Sequence, residues 1–460
     1  MTKRRRPPTH SRDRLACSAP SSDNANITKL VSWSLMKHIA LLAALFALAA
    51  DWPQYRGPSR DGSSKETGLL QEWPKGGPKL LWTFTDAGVG YSGPAIVGDK
   101  LFMAGGRGTD DVLFALDLKA EGTPKELWSA KIGPLFNWKG NSWNTGPNVS
   151  PTVDGDLVFA LGGLGDLICV EAATGKETWR VNLPRDLGGA VNPIGGGLEQ
   201  PTPIGWGFAS APLVDGDKLI CVPGGKQGLF AALDKKTGKV LWRSKDVTDQ
   251  VSYSSPLAVE VGGVRQYIQV TNKGIVGVAA ADGKLLWSYK REYEDVAIAT
   301  PLFRDNFVYA SVGFNEGCDG IKLVAKDGAF AVEKVYANKD VQSRDGGVVL
   351  VGDHIFGHSE KGGWTCQDFK TGQVKWSDPG IGRGSVTFAD GRLYCVAEKG
   401  SSVSLVEPSA EGWTEKGKFK LPAASKQRLP SGGLWTHPAI ANGKLFVRDQ
   451  ELVFCFDVKK

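Results

Sequence analysis

An all-β fold, an eight-bladed propeller of four-stranded antiparallel blades, is what this 460-residue sequence predicts, on three observations. Glycine supplies 59 residues, aromatics are plentiful, and runs of helical period are nearly absent after residue 50. That balance suits many short strands joined by tight turns. A hairpin ending in tryptophan recurs along the chain, and a second kind of hairpin precedes each copy. Together they repeat about every 49 residues, which is propeller periodicity.

Residues 1–35 are basic, rich in Ser and Pro, and unpatterned. They are expected to be a start-site artefact or a disordered extension, with translation beginning at Met36. "MKHIALLAALFALAADW" then reads as a secretory signal peptide over 36–49. It has a basic start at Lys37, an apolar run too short to span a bilayer as a helix, and Ala47 and Ala49 at cleavage-site spacing. No cysteine follows that site, so no lipid anchor is expected. The leader also carries the whole net charge of +6: eight Lys/Arg and two Asp in residues 1–49 leave 47 basic and 47 acidic residues in the body. A neutral body removes the bulk electrostatic case for binding nucleic acid.

Residues 50–77 form an N-terminal segment ahead of the propeller, which is expected over 78–460. "PKLLWTF" (78–84) has the look of a tryptophan-bearing fourth strand with no predecessor. The tryptophan hairpin follows as "CVEAATGKETW" ending at Trp179, "ALDKKTGKVLW" at Trp242, "AAADGKLLW" at Trp287 and "CQDFKTGQVKW" at Trp376. Glycine accepts the positive φ of a tight turn, and Asp or Thr hydrogen-bonds the turn backbone. The other hairpin occurs eight times, starting at Tyr91, Asn148, Ala209, Ser254, Ala299, Gly346, Gly384 and Thr436. It should form the two inner strands of each blade. Residues 323–336 and 404–419 fill the remaining outer slots without tryptophan in the usual place. The chain ends on "ELVFCFDVKK", a third strand with no successor. Pairing it with 78–84 would close the ring and leave no open edge between first and last blades.

These repeats resemble the pyrroloquinoline-quinone-type (PQQ-like) repeats of the quinoprotein alcohol dehydrogenase-like propellers, whose docking motif is Ala-x-Asp-x-x-x-Gly-x-x-x-Trp. The opening "DWPQYRGPSRDGSSKETGLL" is similar to secreted propeller-repeat proteins of planctomycete-type bacteria. Relatives of known role are quinoprotein dehydrogenases, which are enzymes, and the propeller subunit of the outer-membrane barrel-assembly machinery, a scaffold. The enzymes hold the quinone against a disulfide between adjacent cysteines and ligate calcium beside a catalytic aspartate. Here the cysteines (17, 169, 221, 318, 366, 395, 455) include no adjacent pair, and no calcium ligand or catalytic aspartate falls on a matching motif. Cys169 and Cys366 lie ten residues before their tryptophans, and Cys221 and Cys395 sit in the second strand of the following blade. The register suggests two equivalent inter-blade contacts, made either as disulfides or as small core residues.

Two stretches exceed hairpin length, residues 133–148 and 183–207, and by strand direction both open on the channel-mouth face. Trp138, Trp143 and Trp206 are thus candidate ligand contacts, or rings that plug the channel. The turns between second and third strands carry Arg107, Lys226, Lys273, Lys361 and Lys399; Arg344 and Arg383 lie in loops leading to innermost strands. Such a ring of cations would favour an anionic ligand at the mouth, or each would be an ordinary solvated loop-tip charge. His354 and His358 share one side of a strand but lack a third zinc ligand, so no metal site is assigned, and the catalytic residues are unknown. The reading is a monomeric periplasmic or secreted binding or scaffold module, with a protein or an anionic small molecule or glycan as partner, no membrane span and no cofactor. The alternative is a quinoprotein alcohol dehydrogenase-like oxidoreductase with PQQ and calcium.

Overall fold

Turn chemistry sets where each strand stops. In "DKKTG" the Asp234 carboxylate accepts hydrogen bonds from Thr237 N and Oγ1, both at 2.8 Å, and Asp368 does the same for Thr371 at 2.9 Å. Each carboxylate replaces water on turn amides that no strand can pair, which fixes the reversal. The computed structural model describes residues 50–460 except 120, 121, 144, 194–204, 295 and 345, so the expectations for 1–35 and 36–49 lie outside the described residues. Among the described residues, the strands form eight four-stranded antiparallel sheets. Seven are built from consecutive strands: blade 1 (residues 95–134), blade 2 (152–182), blade 3 (213–243), blade 4 (257–290), blade 5 (302–338), blade 6 (348–378) and blade 7 (384–420). Blade 8 joins the three strands within 439–457 to the N-terminal strand Lys79–Phe84.

That last pairing is the expected closure. Lys79 faces Asp457, Leu80 faces Phe456 and Phe84 faces Val453, with a bulge between Leu80 and Trp82. Both weak repeats are also hairpins: Gly317–Lys326 with Ala329–Asn338 in blade 5, and Ser402–Glu407 with Thr414–Lys420 in blade 7. Period-2 alternation is lost in the two middle strands of a blade, because sheets pack on both faces; Leu157–Leu161 and Asp166–Glu171 are buried almost throughout, whereas the outer strand Glu177–Asn182 is half exposed.

The docking motif has a direct spatial meaning. Gly175, Gly238 and Gly283 each lie under the outer-strand tryptophan of the preceding blade, where a Cβ would fall 2.4 Å from Trp128, 2.8 Å from Trp179 and 2.5 Å from Trp242. Trp128 and Trp179 also donate Nε1–H to the next blade's turn carbonyls, Ala172 at 3.2 Å and Lys235 at 3.0 Å. A ring this size brings roughly 4 kcal/mol of burial, provided its N–H finds an acceptor. In blade 5 Tyr336 takes the place of tryptophan, covering Gly372 and donating its hydroxyl to Phe369 O at 2.9 Å. Trp287, which precedes the weak repeat of blade 5, instead bonds Gln266 Oε1 in its own sheet at 2.7 Å.

All six described cysteines are free and buried. Cys169 and Cys221 share one hydrophobic cluster, and Cys366 and Cys395 another, so the register marks real inter-blade contacts filled by thiols. The long 183–207 stretch begins as a helical turn, α1 (Leu183–Leu187), capped by Asn182, whose Oδ1 accepts from Arg185 N at 3.0 Å.

Candidate functional site

The residues just ahead of each innermost strand have no sheet partner on the channel side, so they bond from blade to blade instead. Thr152 Oγ1 donates to Pro212 O at 2.8 Å, Ser210 Oγ to Ser254 O at 2.7 Å, Ser252 Oγ to Ala297 O at 2.7 Å, and Thr436 Oγ1 to Tyr91 O at 3.3 Å. Ser210 and Thr436 stand in the recurrent Ser-x-Pro and Thr-x-Pro starts of the repeat, and together these hydroxyls tie neighbouring blades along the channel wall.

Residues 51–64 close the channel at one end. Trp52 forms an isolated bridge with Ile96 in blade 1, Pro53 O accepts from Val153 N in blade 2, and Ser64 N donates to Phe388 O in blade 7. Arg60 donates to Ala211 O at 2.9 Å and Pro212 O at 3.0 Å, and Ser64 Oγ to Ile440 O at 3.0 Å in blade 8. Arg56 donates to Val348 O and, at 2.9 Å, to Asp61 O. Both arginines have left-handed backbone, φ 59° and 57°, and are 3% and 2% exposed. Burial pushes Arg60 down to about 10 and lowers Arg56 from the ordinary guanidinium value. Positive φ in a bulky residue is strained, and here the carbonyl bonds hold it.

Above this floor is a cup of about 370 Å³, walled by the channel-facing residues and opening among aromatic rings. Trp206 lies between Trp138 and Trp143, with centroids at 5.4 and 5.8 Å and planes inclined by 63° and 79°. Tyr91 lies 4.8 Å from Trp435, and Tyr55 meets His437 edge-on at 5.6 Å. Polar bonds fix these rings: Tyr91 Oη donates to Trp143 O at 3.1 Å, Tyr253 Oη accepts from Trp206 N at 2.8 Å, and Asn148 Nδ2 donates to Trp206 O at 3.1 Å. Trp143 remains 40% exposed at the mouth.

The three tryptophans singled out in the sequence therefore come together, and Trp143 and Trp206 line the cup. Of the seven cations only Arg344 lines it. Arg344 stacks on Phe314 at 4.4 Å and pairs with Glu360 at 3.5 Å, which Arg383 shares at 3.4 Å while also pairing with Glu398. Arg107 pairs with Glu126 at 2.8 Å, Lys273 with Asp249 at 3.0 Å and Lys361 with Asp340 at 2.7 Å; Lys399 donates to Gly432 O at 2.6 Å. Lys226 is exposed and makes no ion pair among the described residues. Carboxylates on neighbouring loops and strands thus offset most of these cations, and little unbalanced field is left at long range.

Sequence reasoning missed Tyr91, Trp435 and the entire floor. Tyr91 and Trp435 lie beside hairpin starts that were recognised, so their position next to an innermost strand was the available signal. His358 packs edge-on against Trp364 at 5.8 Å, and among the described residues no group of three His, Cys, Asp or Glu could hold a metal. No acidic residue is found among the described residues lining the cup.

A family model described as outer membrane protein assembly factor BamB matches residues 109–378. Similar curated proteins include outer membrane protein assembly factor BamB of Nitrosomonas eutropha, 27% identical over 201 residues that make up 43% of this chain and 40% of the relative. Another is lupanine 17-hydroxylase [cytochrome c] of a Pseudomonas species, 32% identical over 177 residues, 36% of this chain and 22% of the relative. The chain thus spans less than half the length of the curated relatives it matches. Among solved structures, BamB of Moraxella catarrhalis superposes with TM-score 0.54 at 15% identity, covering 83% of this chain and 98% of that one. Quinohemoprotein alcohol dehydrogenase of Comamonas testosteroni superposes with TM-score 0.59 at 12% identity, covering 89% and 81%. At these identities the likeness is one of fold.

Proposed function

We propose, because the chain belongs to the propeller family described as outer membrane protein assembly factor BamB, that it is a non-catalytic binding or scaffold module of the cell envelope that takes its partner at the aromatic mouth of the channel. The observation that carries this is the cup itself: a channel closed at one end by residues 51–64 and rimmed at the other by Trp138, Trp143 and Trp206. Amphipathic rings held by backbone bonds make a preorganised contact surface, in which little side-chain entropy is left to lose on binding. Envelope location rests on the signal-like residues 36–49 and on the outer-membrane role named for the relatives. Among the described residues no helix is long and apolar enough to cross a membrane.

The likeness to quinohemoprotein alcohol dehydrogenase motivates the second reading, a quinone-dependent oxidoreductase. The described residues do not fit that group. The cup offers aromatic walls and arginines but no carboxylate among its described lining to ligate calcium or act as base, and the buried thiols are dispersed over separate blades. No step is therefore derived through a quinone.

The test uses wild-type protein and a Trp143→Ala/Trp206→Ala variant. Immobilised wild type should retain components of detergent-solubilised outer membranes, and the variant, with nearly unchanged melting, should not. In parallel, a dye-linked dehydrogenase assay with added PQQ and calcium should show no turnover; saturable quinone binding with dye reduction would sink the reading.

A further inference from the structure

Arg56 is the feature of the cup that its walls leave unexplained. It lines the floor yet is 3% exposed. Its Nη2 makes both of its hydrogen bonds, to Asp61 O and Val348 O, while among the described residues Nε has no partner and Nη1 makes no hydrogen bond. No carboxylate pairs with it among the described residues. Gly347 explains how the guanidinium fits: at φ 61° it carries no side chain, and a Cβ there would fall 2.0 Å from Arg56 Nη1 and 3.2 Å from His437 Cε1. The cation and the imidazole thus lie side by side over bare backbone. The Asp61 carboxylate favours the charged form from a distance without forming an ion pair, and a buried guanidinium with spare donors is best completed by a hydrogen-bonded anion, for which a carboxylate has the matching geometry.

The mouth constrains the rest of the ligand. The rings around Trp206 meet at 63° and 79°, so they form a stepped surface in place of a parallel-walled slot. A pyranose chair presents C–H faces and edges at several angles and so suits such a surface, while a flat fused ring could stack on one ring only and meet the others edge-on. Asn148 and Ser150 lie among the rings, where hydroxyls could be met. A volume of about 370 Å³ is at the low end for small-molecule sites, and Trp143, 40% exposed, continues the aromatic surface outward. We infer that the cup is a receptor for the end of an acidic saccharide, a carboxylate against Arg56 and its sugar rings reaching outward to Trp206 and Trp143. This rests on the binding-module reading and narrows it to one ligand class.

Titration calorimetry of the full chain at low salt, with digalacturonate, a neutral disaccharide and 2-naphthoate as probes, tests the inference. Digalacturonate should bind about tenfold tighter than the neutral sugar, and more weakly as salt is raised. Trp143→Ala should weaken it roughly fivefold with unchanged melting. Arg56→Gln should erase the preference for the acid over the neutral sugar; because that variant may be destabilised, the wild-type comparison of charged with neutral sugar stands without it. Equal affinity for the two sugars, naphthoate binding without uronate binding, or indifference to Trp143→Ala would each overturn the inference. If no probe binds while the double tryptophan variant still loses outer-membrane retention, the saccharide assignment falls and the binding module stands.

Discussion

Asp111 is a fully buried carboxyl whose partners among the described residues are backbone amides, Gly163 N at 3.1 Å and Phe136 N at 3.4 Å, the second at the root of the loop that carries Trp138 and Trp143. Burial pushes its pKa up to about 7, with Asp166 and Asp110 adding to the rise. The folded state therefore binds this proton more tightly than the unfolded chain. The resulting stability is complete below the ordinary carboxylate range and is lost as pH rises through about 7. His358 works the other way: burial, helped by Arg383, holds it down to about 4, so its stability is present above the ordinary histidine value and is lost as pH falls through about 4. The two act over one window with opposite slope. Asp111→Asn should leave a protein whose melting temperature rises from pH 4.5 to about 7, and His358→Gln one whose melting temperature falls, each trace amounting to about 3 kcal/mol at most. Parallel profiles in wild type and both variants would remove this account. Single residues were unevenly legible in sequence. Trp138, Trp143 and Trp206 stood out because bulky rings in long loops are conspicuous, but nothing in the sequence marks Asp111, since its environment is supplied by loops some 25 and 52 positions away.

At the scale of elements, hairpins were readable because turn chemistry and strand alternation are local. The floor was not. "DWPQYRGPSRDGSS" has no period, and its partners are main-chain groups of six blades, carbonyls in five and the Val153 amide in blade 2, which no side-chain pattern announces. Its arginines carry the element. Arg60 reaches Gln54 Oε1, Pro212 O and Ala211 O from one planar fork, a set that a lysine ammonium cannot span. Arg60→Met should therefore destabilise by about 2–4 kcal/mol, and Arg60→Lys should recover little of that, whereas exposed Lys65→Met should stay within about 0.5 kcal/mol. Urea midpoints would measure all three. An Arg60→Met protein that unfolds at the wild-type midpoint would show that the segment is held by Trp52 and its neighbours alone.

For the whole molecule the sequence was most informative, because blade count, repeat spacing and the unmatched half-motifs at either end of the propeller all lead to one closed ring. The ring depends on Leu452–Asp457, which pairs with Lys79–Phe84 on one side and Lys444–Asp449 on the other. Deleting residues 451–460 should expose two strand edges and replace the cooperative melt by aggregation, detectable by light scattering; a deletion variant that melted as wild type would contradict the closure. The floor adds a further condition. Ser64 bonds a carbonyl 376 positions later, and Arg56 one 292 positions later. Contacts this distant in sequence form slowly. Residues 51–84, though synthesised ahead of blades 1–7, complete their set of partners only after the last strand has been delivered. The floor is incomplete until then, so an intact cup marks a chain that has been made through to residue 457.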